Sequence, residues 1–359
     1  MFDFLFSLLS YDIGIDLGTA NTVILVLGKG VVIREPSVVS RRKKTKEVLA
    51  IGTKAKKMIG KTPAPIEVIR PLRDGVIADF DATAAMLTHY IREIHQTPGL
   101  IPKIPRPRVA IGIPTGVTEV ERKAVQDVAL TAGARKAFLI EEPMAAAIGI
   151  GLPIEEPGGA LLVDIGGGTT EIAVISMGGI VINRCLRIAG DEMNEAVVNF
   201  LRLKYSLLLG EATAEEAKIQ LGSVVPERRR IKDLSLEEDK ERQMVIRGRD
   251  LETGLPKSVK INSSEIREAI APVITQIIEQ ISGVIEETPP ELINDIVSRG
   301  IVLCGGGSQL RGLDKLIAEE TKMPVWVADD PQSCVVRGCG RVLEDENLLQ
   351  RVRVTGGLR

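Results

Sequence analysis

From Ile13 the chain breaks into short apolar runs: Ile13 to Leu17, Thr22 to Leu27, and Val31 to Ile33, punctuated by Gly18, Gly28 and Gly30. Runs of this length bounded by glycine predict successive strands. A helix is expected over about 82–96. The stretch 97–107, TPGLIPKIPRP, holds four prolines and must be a loop. Val109–Ile113 reads as a buried strand and 117–132 as a helix, and FLIEEPMAAAIGIG (138–151) as a strand running into a small-residue helix. The pattern predicts helix from 190 to about 222, a helix over 264–286, a strand over Gly300–Cys304, and a helix over 310–320. Strands and helices alternate throughout, so the fold class is α/β.

The strand grammar occurs twice. Residues 161–182, LLVDIGGGTTEIAVISMGGIVI, resemble 13–33 at a constant offset of 148. Asp16 matches Asp164, Gly18 matches Gly166, Thr22 matches Thr170, Val26 matches Val174 and Gly30 matches Gly178. The matched residues are the strand-turn-strand punctuation itself, which predicts a duplicated domain whose halves each open with a hairpin carrying D-x-G.

Composition narrows the class. The chain has 359 residues, enough for two or three domains. Lys and Arg total 46 and Asp and Glu 48, a net charge of -2 that argues against a nucleic-acid-coating protein. The basic run Arg41–Lys46, RRKKTK, is accordingly read as a solvated hairpin tip. The mixed-sign run 227–242 is read as the exposed face of a small subdomain. Four scattered cysteines, without a CxxC, predict reduced, mostly buried thiols in a cytosolic chain. His89 and His95 fit no metal pattern. No apolar run reaches the ~18 residues of a membrane span, and the N-terminus has no basic region or cleavage site of a signal peptide.

Two common phosphate motifs fail. Gly60-Lys61-Thr62 lacks the P-loop's first glycine, since position 55 is Ala. The glycine pairs 166/168 and 305/307 are followed by Glu171 and Leu310 where a dinucleotide fingerprint needs glycine. What remains is the pair of D-x-G hairpins: Asp16-Leu17-Gly18-Thr19, continuing through Ala20 and Asn21, and Asp164-Ile165-Gly166-Gly167-Gly168-Thr169-Thr170. In each, a strand delivers a carboxylate to a turn whose glycines let backbone N–H groups approach an anion. Two such turns facing each other would grip phosphates from both sides, with carboxylates suited to Mg²⁺ held mostly through its waters. Glu142, before Pro143, could orient an attacking water or serve as a helix N-terminal charge. Glu215 and Lys218 could hold ribose hydroxyls or form an ordinary i,i+3 pair. Gly305, Gly306 and Gly307, between a strand and a helix, allow a flat base or a phosphate to lie on backbone.

DLGTANT, DIGGGTT, EEPMAAAIG and the late GGG resemble the five-part nucleotide site of the actin, Hsp70 and sugar-kinase superfamily. More narrowly, PLRDGVIADFDAT (71–83), AGARKAFLIEEPMAAAIGIGLP (132–153), GRDLETGLPK (248–257) and GGGSQLRGLDKLI (305–317) resemble the MreB family of bacterial actin homologues, over about 12–345. The resemblance implies an actin-like ATPase fold: two duplicated ribonuclease-H-like domains around a nucleotide cleft, each with a small inserted subdomain. Domain I would comprise 1–150 with 328–359 and a subdomain at about 34–75, and domain II would comprise 151–327 with a subdomain at about 185–247. It implies a weak ATP hydrolase that assembles with ATP and Mg²⁺ into filaments of its own copies. These would lie on the inner face of the cytoplasmic membrane, with membrane-bound cell-wall elongation proteins as partners, and maintain rod shape. By position, Asp16 and Asp164 would serve the metal, Gly18, Thr19, Ala20, Asn21, Gly166, Gly167 and Gly168 the phosphates, and Glu142 and Thr169 the hydrolytic water. Glu215 and Lys218 would hold the ribose, and Gly305, Gly306 and Gly307 the adenine side. Asn194, Arg337 and Cys339 depart from the family's usual residues. A small-molecule kinase on the same fold is the alternative, but no additional acidic motif supplies its base. An Hsp70-like chaperone lacks its substrate domain.

Of ten aromatic residues, Phe2, Phe4, Phe6 and Tyr11 fall in the first eleven positions. On a helical wheel Asp3, Ser7 and Ser10 share one stripe, and Phe2, Phe4, Leu5, Phe6, Leu8 and Leu9 cover the rest. This predicts a membrane-interface helix. Each large side chain contributes roughly 1.5–3 kcal/mol if fully buried, so one copy binds reversibly and a filament firmly. Leu100 and Ile101 are a second candidate insertion point.

Overall fold

The computed structural model describes residues 10–96, 104–225 and 241–354. The apolar segment bearing Phe2, Phe4, Leu5, Phe6, Leu8 and Leu9 lies outside them. So do Leu100 and Ile101 and nearly all of the charged run 227–242.

Two five-stranded sheets form the frame, and each carries one copy of the repeat. In the first the order is Lys136–Glu141, Arg108–Ile113, Ile13–Leu17, Asn21–Val26, Gly30–Pro36. In the second it is Val325–Val327, Ile301–Cys304, Ala160–Ile165, Thr170–Ser176, Gly179–Leu186. Each is an antiparallel meander extended by two parallel strands. The register repeats as well. Ile13 opposes Val26 and Asp16 opposes Val23, while Leu161 opposes Val174 and Asp164 opposes Glu171. The central strands are buried along most of their length because both sheet faces are covered, which explains their continuous apolar spelling.

Between the sheets lie two helices, Glu142–Ile150 and Cys334–Glu344. They pack against Ala110 and Ile140 of the first sheet and Leu162, Ala173 and Val302 of the second. Their small residues have a specific cause. A Cβ at Gly149 would collide with the Cys334 carbonyl, and one at Gly338 with the Ala145 carbonyl, so the two backbones touch. The small-residue helix predicted after FLIEE is present. Helix Cys334–Glu344 was not foreseen, nor were Pro290–Arg299 and Glu346–Val352.

Other differences have local reasons. The helix expected from 190 to 222 is two, Gly190–Tyr205 and Glu211–Leu221, because Ser206 turns left-handed (φ 49°) and Leu207–Leu208 pairs with Asp250 and Arg249. The helix expected over 310–320 runs from Leu313 to Thr321, preceded by a 3₁₀ turn at Gly306–Gln309. The basic run does sit at a hairpin, between strands Val39–Arg42 and Val48–Ile51, yet Arg41 points inward. It donates to Glu67 (2.7 Å) and to Asp79 (2.6 Å), and Asp79 also caps helix Phe80–His95 by accepting from the Ala82 N–H. A buried guanidinium needs such partners.

The cysteines are free; Cys304, Cys334 and Cys339 are buried and Cys185 is exposed. His95 is buried, its Nε2 bonded to Ser10 Oγ (3.0 Å) and accepting from the Tyr11 N–H (3.2 Å). Among the described residues, no helix is long and apolar enough to cross a membrane.

Candidate functional site

Both D-x-G carboxylates sit near the C-terminal ends of central strands, where parallel neighbours also end. Asp16 lies beside Gly112, and Asp164 beside Cys304. The two turns face each other closely: a Cβ at Gly167 would reach the Ala20 N at 3.1 Å, and one at Gly168 the Thr19 Oγ1 at 2.9 Å. The repeated threonines brace these turns. Thr22 and Ser37 share a 2.8 Å hydrogen bond, Ser37 donates to the Gly18 carbonyl (2.7 Å), and Thr170 donates to the Ile188 carbonyl (2.7 Å). Helix Gly190–Tyr205 begins on the second turn, with the Asp191 N–H donating to the Gly167 carbonyl (2.7 Å).

Asp16, Gly18, Thr19, Ala20, Asn21, Glu142, Asp164, Gly166, Gly167, Gly168, Thr169, Glu215, Lys218, Gly305, Gly306 and Gly307 all line one cleft of about 360 Å³. That volume lies within the usual range for small-molecule sites. Every residue singled out for nucleotide chemistry is therefore brought together.

Acidity is concentrated at the cleft floor. Burial, with Asp164 nearby, pushes the Asp16 carboxyl up to about 8. Burial raises Asp164 to about 6, and raises Glu171 to about 7. Glu142 is pushed well above the carboxylate range by burial and then by Glu171, Asp16 and Asp164. Four acids crowded so closely repel one another when ionised, and a hard cation relieves that repulsion. Among the described residues no three His, Cys, Asp or Glu side chains form a dedicated metal cage. Mg²⁺ commonly uses one or two carboxylates and completes its shell with water and phosphate.

Several partners differ from the sequence expectation. Glu215 and Lys218 do not pair with each other. Glu215 meets Lys56 (2.7 Å), while Lys218 donates to the Gly190 carbonyl (2.7 Å) and is held below the usual lysine range by burial. Gly305 (φ 78°) has its Cβ position filled by Asp164, and Gly307 by Ile165, so packing alone already requires two of the three glycines. Asn194 also lines the cleft, buried, with its Oδ1 unpartnered. Arg337 turns away, donating to the Asp329 carbonyl (2.7 Å) and to Cys334 Sγ (3.3 Å).

Sequence reasoning missed Glu171, Gln309, Gln332 and Val335, which line the same cleft. Glu171 could have been found, because it stands two residues after Thr169 at the head of strand Thr170–Ser176, a spacing that shares one face in extended chain.

The sequence model of the MreB/Mbl protein matches residues 10–351. The chain belongs to the MreB/Mbl family. The cell shape-determining protein MreB of Escherichia coli K12 is 49% identical over 339 residues, 93% of this chain and 94% of that protein. The cell shape-determining protein Mbl of Bacillus subtilis 168 is 46% identical over 344 residues, 96% of this chain and 99% of that protein. The crystal structure of Spiroplasma citri MreB5 bound to ADP superposes with a TM-score of 0.85 at 37% identity, covering 96% of this chain and 98% of that one. The MamK double helical filament shares the fold, with a TM-score of 0.76 at 22% identity over 94% of this chain and 99% of that one. Membership of MreB/Mbl bears out the actin-like α/β fold and sets the kinase alternative aside.

Proposed function

We propose that the chain is a cytoskeletal ATPase that assembles with ATP and Mg²⁺ into filaments organising cell-wall elongation and rod shape. The observation that carries this reading is the pair of duplicated D-x-G turns facing each other across one acidic cleft. MreB5 of the same family is bound to ADP in one crystal structure and AMPPNP in another, and MamK forms a double helical filament on this fold.

In this reading the two halves are 1–150 with 328–359, and 151–327. The backbone around Gly18–Asn21 and Gly166–Gly168 grips the phosphates. Asp16 and Asp164 hold the cation, largely through water, and the cation supplies charge neutralisation at the phosphates. Glu142 and Thr169 orient the attacking water, and the weak hydrolysis acts as a timer. Glu215 and Lys218 face the ribose and Gly305–Gly307 the base.

The filament would lie on the inner face of the cytoplasmic membrane, anchored by Phe2, Phe4, Leu5, Phe6, Leu8 and Leu9 with Leu100 and Ile101. Membrane-bound cell-wall elongation proteins would be its further partners.

Light scattering tests the proposal. Wild-type protein with Mg²⁺ and ATP should scatter and release phosphate without any added substrate, and Asp164→Ala should lose phosphate release. A wild type that neither scatters nor turns over, or an Asp164→Ala variant with full turnover, would overturn it.

A further inference from the structure

Three ion pairs cross the mouth of the cleft. Arg70, just past strand Ile66–Ile69, reaches Asp191 (3.2 Å) and Glu211 (2.7 Å), and Lys56 reaches Glu215 (2.7 Å). The cations flank the small three-stranded sheet of Val48–Ile51, Val39–Arg42 and Ile66–Ile69, and the acids belong to the two helices that follow the second hairpin. The cationic side is anchored. Lys56 ends the single-turn helix Thr53–Lys56, and Thr53 donates its N–H and its hydroxyl to Glu35 of the first sheet (2.6 Å each). The acidic side is placed as well, since Asp191 and Glu211 occupy the first turns of their helices, where negative charge is favoured.

Glu215 carries the argument inward. It lines the cleft three residues before Lys218, yet its Oε2 is taken by Lys56 from the opposite side. Lys218, in turn, is left on the Gly190 carbonyl. Glu215 thus has one carboxylate oxygen committed across the mouth, while Lys218 is held on its own side of it.

We propose that Lys56 and Arg70 form an electrostatic clasp with Glu215, Asp191 and Glu211 that closes the mouth of the cleft and sets how fast a nucleoside phosphate leaves it. The part concerning nucleotide release rests on the nucleotide-binding reading above; the closure itself does not. The five side chains are partly exposed, so the clasp is weak and reversible and is screened by salt, which suits a gate that must open each cycle.

Two measurements test it. Nitroxide labels at the exposed positions Lys44 and Glu216, in a Cys185→Ser background, report the width of the mouth by pulsed EPR without nucleotide. Wild type should give one short, narrow distance. Arg70→Glu should lengthen and broaden it, and adding Glu211→Arg should restore it. Separately, fluorescent ATP should leave Lys56→Gln roughly three- to tenfold faster than wild type, the scale of one or two partly exposed ion pairs. Added salt should speed release from wild type more than from the variant. An unchanged distance in Arg70→Glu, or a salt response in Lys56→Gln equal to wild type, overturns the clasp. Absence of fluorescent-ATP binding to wild type would sink the nucleotide reading instead, while the EPR distances would still decide whether the mouth is clasped.

Discussion

Glu171 in the second hairpin grips Thr115 in the loop after a first-sheet strand. Its carboxylate accepts from the Thr115 N–H at 3.2 Å to each oxygen and from the Thr115 hydroxyl at 2.7 Å. This buried contact ties the two halves at the cleft floor, opposite the charged residues of the mouth. It also fixes a carboxyl opposite Asp164 and near Glu142, and it raises the cost of carrying charge on Glu142.

That crowding predicts an unusual pH dependence. Asp16, Asp164, Glu142 and Glu171 are all raised in the folded state, so each binds its proton more tightly there than in the unfolded chain. The stability they contribute is complete below the ordinary carboxylate range and is lost as pH rises through about 6 to 8. In chelator and without nucleotide, melting temperature should fall by several degrees from pH 5.5 to 8, and Glu171→Gln should flatten the decline. A melting temperature that climbs over that interval would contradict this ordering.

Glu142 tests the chemistry apart from binding. Glu142→Gln keeps the shape of the side chain and removes its ability to take a proton. Nucleotide affinity should stay near wild type while single-turnover hydrolysis slows by roughly 10²- to 10⁴-fold, the usual contribution of a positioned acid or base. Wild-type cleavage in that variant would assign the water-orienting role elsewhere.

The helix pair between the sheets is predicted to tolerate no added methyl group. Gly338→Ala places a Cβ against the Ala145 carbonyl, so the helices must move apart or the chain must strain. Overpacking of this kind costs about 1–3 kcal/mol or more, read as a lowered denaturant midpoint. Gly179→Ala, where a Cβ comes no nearer than 3.9 Å to any neighbour and the backbone φ is not positive, is the matched control and should unfold like wild type.

Deleting residues 2–9 should abolish co-sedimentation with liposomes and leave polymerisation in solution intact. Pelleting of the truncated protein with lipid at wild-type levels would place attachment elsewhere, with Leu100 and Ile101 the first residues to change.

The D-x-G hairpins were legible because duplication repeats chemistry and register together. Asp16 and Asp164 stand at the same place in two copies of one pattern. Glu171 was passed over because its counterpart in the first copy is Val23, so the repeat gives it no echo, and only its spacing from Thr169 marks it. Spacing also misled at Glu215 and Lys218. Three residues apart on a helix, they suggest each other, and only tertiary structure supplies Lys56 and Gly190 as the actual partners. Helix Cys334–Glu344 escaped notice because Gly338 and Gly340 lower its intrinsic preference. Those glycines are there for packing against Ala145 and Leu25, which no local pattern records.

The late helix Cys334–Glu344 covers strand Ile13–Leu17 and supports Glu142–Ile150, and Val335 reaches the cleft itself. A chain emerging from the ribosome thus carries Asp16 almost from the start but lacks the layer that seats it until nearly all of the sequence has been made. The subunit cannot mature piecemeal: a nascent or prematurely terminated copy that lacks this helix has no finished cleft.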